Sequence, residues 1–425
     1  MPHLILIGTL DTKLQEFLYL RSQLQELSQN ASTPLKITLI DCGRTPIHHE
    51  AITISQPDLV KSYGPADAFD FKSPPRGEII KYMTRCTSAY VEHLIRKGDV
   101  DGILSAGGSG GTSLVSAVMR EVAPLGMPKL IVSTVASGDT GPIVGETDIT
   151  MMYSVVDIAG TNAMLRDVLG NAAAAMLGMS TAYEKRMLAQ KDLKPESERK
   201  LRVGVTMFGV TTPCVDTIRE YLTSKYPVEV FVFHATGHGG KAMERMVSEG
   251  TLDAVLDVTT TEICDCLCGG NMSAGSSRLE AALKQGVPNI ISVGATDMVN
   301  FGPKGTVPGS YKARKLLEHN PTVTLMRTTR EECRMIGNFI VEKIKGFAGE
   351  REKVEVWIPR RGVSMIATPG QVFEDQDADA VLAETLKEGL RGTGVKVVED
   401  MRDINDPGFA VDMAETLMKI VYRTK

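Results

Sequence analysis

The residues best suited to chemistry sit in short polar loops that follow apolar runs. The first is Gly107-Gly108-Ser109-Gly110-Gly111-Thr112. Glycines let a backbone approach phosphate closely, and a helix N-terminus behind such a loop adds about half a positive charge. Ser109, Thr112 and Ser113 offer hydroxyls for phosphate oxygens or for Mg²⁺. The loop lacks the lysine of a Walker motif and does not fit G-x-G-x-x-G cleanly. A tight turn under a closely packed helix would use the same glycines. The second loop, Gly8-Thr9-Leu10-Asp11-Thr12-Lys13, supplies the missing cation in Lys13. Asp11 suits Mg²⁺ or a ribose hydroxyl, and Asp11 or Thr12 equally suits a helix cap. In Asp41-Cys42-Gly43-Arg44 an acid stands where one commonly meets a ribose, and Arg44 can reach phosphate or stack on a base. Pro74-Pro75-Arg76-Gly77 opens a helix and puts Arg76 near its N-terminus. Either arginine alone suits the surface; beside two ligand-type loops both become candidate nucleotide contacts.

The second half has its own polar rim. His234-Ala235-Thr236-Gly237-His238-Gly239-Gly240-Lys241 is another glycine loop, here with two histidines. Asp257 to Glu262 and Gly294 to Asp297 follow two further apolar runs. Histidines and carboxylates at strand ends suit proton transfer, which makes His234, His238, Asp257 and Glu262 the candidate catalytic set. A polar domain interface would look similar. Cys264, Cys266 and Cys268 lack the paired C-x₂-C spacing of zinc sites, and ordinary thiols explain them better than a metal. Val135 to Pro142 reads as a cleft wall or a subunit contact, with Gly145 to Asp148 beside it.

These loops need strands before them and helices after. Leu4 to Ile7, Lys36 to Ile40, Gly102 to Ser105 and Leu130 to Thr134 are runs of strand formers. Leu14 to Leu27, Glu78 to Lys97 and Ala159 to Met179 carry helical spacing. Such alternation predicts an α/β chain with mainly parallel sheets covered on both faces. Residues 184–200 are charged, contain Pro195 and lack a sustained apolar stripe. They read as a linker between domains at 1–183 and 201–425. The second domain opens on Leu201 to Thr206 and continues with strands near 322–326, 354–358 and 394–398, closing on a helix from Asp406 to Tyr422. Two segments of the first half recur in the second in the same order. Val100 to Leu104 matches Leu252 to Leu256, and Gly126 to Ser133 matches Gly286 to Val293. A duplicated α/β unit is expected, against chance similarity between buried strands.

Bulk properties narrow the classes. The 425 residues are 43% hydrophobic and 23% charged, with a formal net charge of −5. No basic field argues for nucleic acid, and no apolar run is long enough for a membrane span. Leu4 to Ile7 runs straight into Gly8, which reads as a first strand and not a signal peptide. Seven cysteines are then free thiols of a cytoplasmic protein. A homodimer is the expectation from general frequency, with Met151-Met152-Tyr153 as a possible contact.

In combination the loops resemble one family, that of the N-terminal domain of the tomato mosaic virus resistance protein and its uncharacterised bacterial and fungal relatives. The matching residues are Gly8 to Lys13, Gly107 to Thr112, Ile131 to Gly138, Ser154 to Ile158, Gly237 to Gly240 and Thr259 to Glu262. The resemblance implies two Rossmann-like domains, with ATP and Mg²⁺ held mainly by the first. It points to Asp11, Thr12, Lys13, Arg44, Arg76 and Gly108 to Gly111 as nucleotide contacts. In the plant protein the domain inhibits a viral replication protein, and no antiviral role is carried over. Two functions follow as expectations. One is an ATP-dependent enzyme acting on a small metabolite in an interdomain cleft. The other is an ATP-regulated protein-interaction module without catalysis. A dehydrogenase using a dinucleotide fold fits the loop pattern less well.

Overall fold

The computed structural model describes residues 1–66, 69–192 and 199–423. The chain divides into two compact units, Met1–Ser197 and Glu198–Lys425.

The first unit runs β1 (His3–Gly8), α1 (Leu10–Asn30), β2 (Lys36–Asp41), α2 (Gln56–Tyr63), α3 (Arg76–Arg96), β3 (Gly102–Gly107), α4 (Ser109–Val122), β4 (Lys129–Ser133), α5 (Gly141–Val144), β5 (Thr150–Tyr153) and α6 (Ala163–Asp192). Its sheet has the order β2-β1-β3-β4-β5, and every pairing is parallel. Strands β1, β3 and β4 are buried along their whole length. That is why they read as unbroken apolar runs without alternation: helices cover both faces. Side chains still alternate between the two cores. Leu4 and Leu6 pack with Phe17, Leu20 and Leu169 of α1 and α6, whereas Ile5 and Ile7 pack with Met83, Val115 and Val118 of α3 and α4.

The second unit runs β6 (Leu201–Met207), α7 (Thr212–Lys225), β7 (Val228–His234), α8 (His238–Ser248), β8 (Ala254–Thr259), α9 (Thr261–Cys268), α10 (Glu280–Lys284), β9 (Asn289–Gly294), β10 (Met298–Phe301), β11 (Leu316–Asn320), β12 (Val323–Arg327), α11 (Arg330–Phe347), β13 (Val354–Pro359), α12 (Gln376–Leu390), β14 (Lys396–Asp400) and α13 (Pro407–Arg423). A six-stranded parallel sheet has the order β14-β13-β9-β8-β6-β7, and β10, β12 and β11 form a small antiparallel sheet. Each unit is therefore an α/β domain built on a parallel sheet.

The repeat seen in the sequence coincides with equivalent strands. Val100 to Leu104 enters β3 and Leu252 to Leu256 enters β8; the second pair of segments enters β4 and β9. The registers agree residue by residue. Ile103 pairs with Lys129 and Leu104 with Leu130, as Val255 pairs with Asn289 and Leu256 with Ile290. Both sheets share the order 2-1-3-4 through their first four strands.

Three features differ from the sequence reading. The linker expected at 184–200 begins as helix, since α6 continues to Asp192. Residues 184–192 are mostly strong helix formers, and Pro195 comes only after them; positions 193–198 lie outside the described residues. The antiparallel sheet was not anticipated, because its strands are short and separated by Gly- and Pro-rich turns. The strand expected at 394–398 begins two residues later, at Lys396.

Candidate functional site

In the first unit the strand order reverses between β1 and β3, and the loops at their carboxyl ends diverge there. Such a switch point leaves a crevice. A cavity of about 250 Å³ opens in it, lined by Thr9, Asp11 and Thr12 after β1, Cys42 and Arg44 after β2, and Gly110 and Leu114 of α4. Arg76, Ile79, Ile80 and Met83 of α3 complete it. One wall is polar and cationic, the other apolar.

Two aspartates brace the loops. Asp11 accepts hydrogen bonds from the backbone N–H groups of Arg44 and Thr45 at 3.0 and 3.2 Å. Gly43 is required beneath it, since a Cβ there would lie 2.6 Å from Asp11 Oδ1. Asp41 accepts from the N–H groups of Leu10 at 3.2 Å and Gly43 at 2.9 Å, tying the β1 exit to the β2 exit. Asp41 is fully buried with its other oxygen unpartnered, and burial pushes its carboxyl up to about 6. It is therefore not open to a ribose.

The arginines differ in how they are held. Arg44 donates through Nε to the Phe71 carbonyl at 2.9 Å and through Nη2 to the Lys72 carbonyl at 2.7 Å. Arg76 has no hydrogen bond or ion pair among the described residues. Its guanidinium lies on Gly110, where a Cβ would stand 2.5 Å from Nη2. Arg76 is the first residue of α3, Gly110 belongs to the first turn of α4, and neither helix has a side-chain cap. A free guanidinium thus meets the uncapped N-terminus of α4 at one rim.

Of the residues expected to hold a nucleotide, Asp11, Thr12, Arg44, Arg76 and Gly110 line the cavity. Gly108, Ser109 and Gly111 flank Gly110 at the start of α4, and Ser109 is exposed. Gly107 and Thr112 are buried, and the Thr112 hydroxyl is spent on Ser133 Oγ at 2.7 Å. Lys13 does not line the cavity; its backbone leaves helical geometry at φ −128°, ψ 18°. The apolar wall of Ile79, Ile80, Met83 and Leu114 was legible only as a helix face.

The second unit fills the corresponding place differently. Position 110 corresponds to Glu262 by the same offset that relates β3 to β8, and both following helices start at matching positions. Glu262 is fully buried. Its carboxylate accepts from the N–H groups of Gly237 at 2.7 Å and Gly240 at 3.0 Å, at the N-terminus of α8. It also accepts from Arg278 Nε at 2.8 Å. Arg278, itself fully buried, donates further to Asp257 at 2.6 and 2.5 Å and to Glu244 at 3.2 Å. Burial alone would lower the Arg278 pKa, but the surrounding carboxylates hold it well above its ordinary value. Burial also raises the carboxyl of Glu244.

The proposed catalytic set is therefore split. Asp257 and Glu262 are buried around Arg278, a residue the sequence reading did not single out, while His234 and His238 are exposed. The His234 ring lies 5.5 Å from that of Phe208. Cys264 and Cys268 are buried in α9 and Cys266 is half-buried. Among the described residues no group of three or more His, Cys, Asp or Glu is arranged to hold a metal ion. No helix among them is long and apolar enough to cross a membrane.

The fold defines a two-domain α/β protein of mainly parallel sheets, with a cavity at the switch point of its first domain. The chain belongs to the uncharacterised protein family UPF0261: the family's N-terminal domain model matches residues 2–185 and its C-terminal domain model residues 200–421. A UPF0261 protein of Clostridium tetani is 42% identical over 99% of both chains. The ToMV resistance protein Tm-1(GCR237) of tomato is 39% identical over the whole of this chain, which spans 56% of the tomato protein. Among solved structures, a UDP-GlcNAc 2-epimerase of Methanocaldococcus jannaschii aligns with 98% of this chain and 93% of its own at 9% identity. Its TM-score of 0.19 carries no argument.

Proposed function

We propose that the first domain binds a nucleoside triphosphate, ATP with Mg²⁺, and that binding is the protein's primary biochemical act. The observation that carries the reading is the exchange of Gly110 for Glu262 between equivalent positions. In the second domain a carboxylate sits at a helix N-terminus and neutralises a buried guanidinium. In the first domain the same position has no side chain, and Arg76 stands against it without a partner among the described residues. The α4 N-terminus contributes about half a charge, so roughly one and a half positive charges face that spot with the guanidinium included. An anion brought by a ligand would supply what Glu262 supplies internally. Phosphate suits a backbone-lined, guanidinium-flanked site. The cavity of about 250 Å³ is smaller than the roughly 300–1,000 Å³ typical of whole-ligand pockets. It would take the base or sugar against Ile79, Ile80, Met83 and Leu114, leaving the phosphates at the rim. Mg²⁺ would arrive with the phosphates, and the exposed Ser109 hydroxyl offers it an oxygen.

A second reading concerns what binding achieves. The carboxylates once expected to act as bases, Asp257 and Glu262, are committed to Arg278. That favours an ATP-regulated interaction module over an ATP-dependent enzyme using those groups.

Thermal denaturation of nucleotide-free protein with ATP–Mg²⁺ tests the binding. A ligand that binds the native state raises the midpoint. The rise should be largely lost in Arg76→Ala. No shift at millimolar ATP, or an undiminished shift in Arg76→Ala, would overturn the proposal. Turnover of ATP that requires a metabolite, and vanishes in Glu262→Ala protein that remains folded, would restore the enzyme.

A further inference from the structure

The second domain contains a cavity that the nucleotide site does not involve. It lies beyond the carboxyl ends of β13 and β14, with a volume of about 570 Å³, inside the roughly 300–1,000 Å³ range of small-molecule pockets. Arg360, Arg361 and Gly362 line it where the chain leaves β13, and Met401 where it leaves β14. Ala367 and Pro369 form the connecting loop, and Glu374, Gln376 and Asp379 close the far side around the start of α12.

Two of its four charges are already matched. Arg360 donates to Glu399 at 2.9 Å, and Asp379 accepts from the buried Arg327 at 2.6 Å. Two are not. Arg361 is exposed, and its side chain makes no hydrogen bond or ion pair among the described residues. Glu374 accepts from the Gly370 N–H at 2.6 Å and the Gln376 amide at 3.2 Å, and meets no cation. These opposite charges line one cavity yet do not pair with each other. The backbone helps to fix the geometry: Gly362 takes φ +136°, where a Cβ would stand 2.9 Å from Thr368. Ala367, Pro369 and Met401 supply the apolar part of the lining, and Met401 is 73% exposed. A methionine so exposed covers nothing in this chain; its thioether is an adaptable contact for an apolar ligand.

We propose that this cavity binds a small zwitterion of the amino-acid type. A carboxylate would face Arg361, an ammonium would face Glu374, and an apolar body would lie on Met401 and Pro369. A simple anion would leave Glu374 beside it unmatched, and a simple cation would do the same to Arg361. A free amino acid and a dipeptide share this chemistry and differ in the separation of their charges.

Calorimetric titration of the full chain separates the cases. The probes are L-leucine, L-leucyl-L-leucine, and the singly charged isocaproate and isoamylamine. At least one zwitterion should bind saturably at millimolar concentration, and neither singly charged analogue should match it. Leucine alone marks an amino-acid site, and the dipeptide alone a peptide site. Arg361→Ala and Glu374→Gln should each weaken binding by about tenfold or more, as loss of a charge-assisted hydrogen bond implies. Both positions are at the surface of the cavity, so unchanged thermal midpoints without ligand would show that the variants fold. Failure of both zwitterions, equal binding of the singly charged analogues, or variants that bind like the parent would each overturn the assignment. The ATP-induced shift should persist in both variants, so this outcome is independent of the first domain.

Discussion

Gly110→Glu transplants the second domain's carboxylate into the first. A side chain at position 110 begins 2.5 Å from the Arg76 guanidinium, so a glutamate there can pair with it after a small movement of the arginine tip. Without nucleotide the change should not destabilise the domain. Replacing glycine in a helix gains roughly 0.5–1 kcal/mol of propensity, and an acid in the first turn about 0.3–1 kcal/mol. These offset the displacement of a flexible side chain. With nucleotide the effect reverses. At an ATP concentration of about 100 Kd, binding contributes about 2.7 kcal/mol. For a unit the size of Met1–Ser197 that corresponds to a midpoint rise of roughly 5–11 °C. A carboxylate about 4 Å from a phosphate charge opposes binding by about 4 kcal/mol at an effective dielectric of 20. It also removes the free guanidinium. The opposition exceeds the whole stabilisation, so the ATP-induced rise should vanish in Gly110→Glu. Gly110→Gln has nearly the same shape without the charge and should keep part of it. Differential scanning calorimetry of both variants, freed of nucleotide, with and without ATP–Mg²⁺, reads the comparison. A full rise in Gly110→Glu would refute the idea that position 110 faces the bound anion.

Two further outcomes concern the second domain. Arg278→Met leaves two buried carboxylates and the half-buried Glu244 without their cation and should cost about 3–5 kcal/mol in that domain; denaturant unfolding followed by Trp357, the chain's one tryptophan, should show an earlier transition, and an unchanged midpoint would count against the cluster. Asp297 is fully buried, and burial pushes its carboxyl up to about 7. Because its folded pKa lies above the unfolded value, its stabilising contribution is complete below about pH 4 and is lost as pH rises through about 7. Asp297→Asn should therefore flatten the fall in unfolding free energy between about pH 4 and 8; an unaltered slope would argue against a buried, protonated carboxyl.

The parallel cores were legible because both faces of their strands are covered. Leu4 to Ile7 and Leu130 to Val132 had to be continuous apolar runs, and the glycines of 107–111 marked where a helix begins against a strand end. Arg44 and Arg76 could be named as candidates from the helix or strand end beside each. What separates them could not. Arg44 is held by the carbonyls of Phe71 and Lys72, whereas Arg76 is left free by the absence of a side chain at Gly110. Lys13 looked the better cation because it lies in a ligand-type loop, yet it does not line the cavity. The Arg278 cluster had no local signature. Its partners at 244, 257 and 262 lie on three elements, and only the order of strands in the sheet brings them to one point.

The two domains apply the same electrostatic requirement in opposite ways. Each places a helix N-terminus and an arginine beside the loop that follows its third strand. In the second domain the compensating charge is covalently part of the chain, so the place is filled and closed: Asp257, Glu262 and Arg278 are nearly or wholly shielded from solvent. In the first domain the equivalent charge is left out, and the place opens onto a cavity. An arrangement that needed only stability would gain by using the internal carboxylate in both. Arg76 is exposed, so water screens its charge and its lack of a partner costs little; an anion that binds there adds stability instead. The uncompensated domain is thus the one whose stability should respond to ligand, and the compensated one should not. Domain-resolved hydrogen exchange with and without ATP–Mg²⁺ would show it: protection should rise around Arg76 and in α4 and stay level around Arg278. Equal protection in both would mean that the asymmetry at positions 110 and 262 has no bearing on binding.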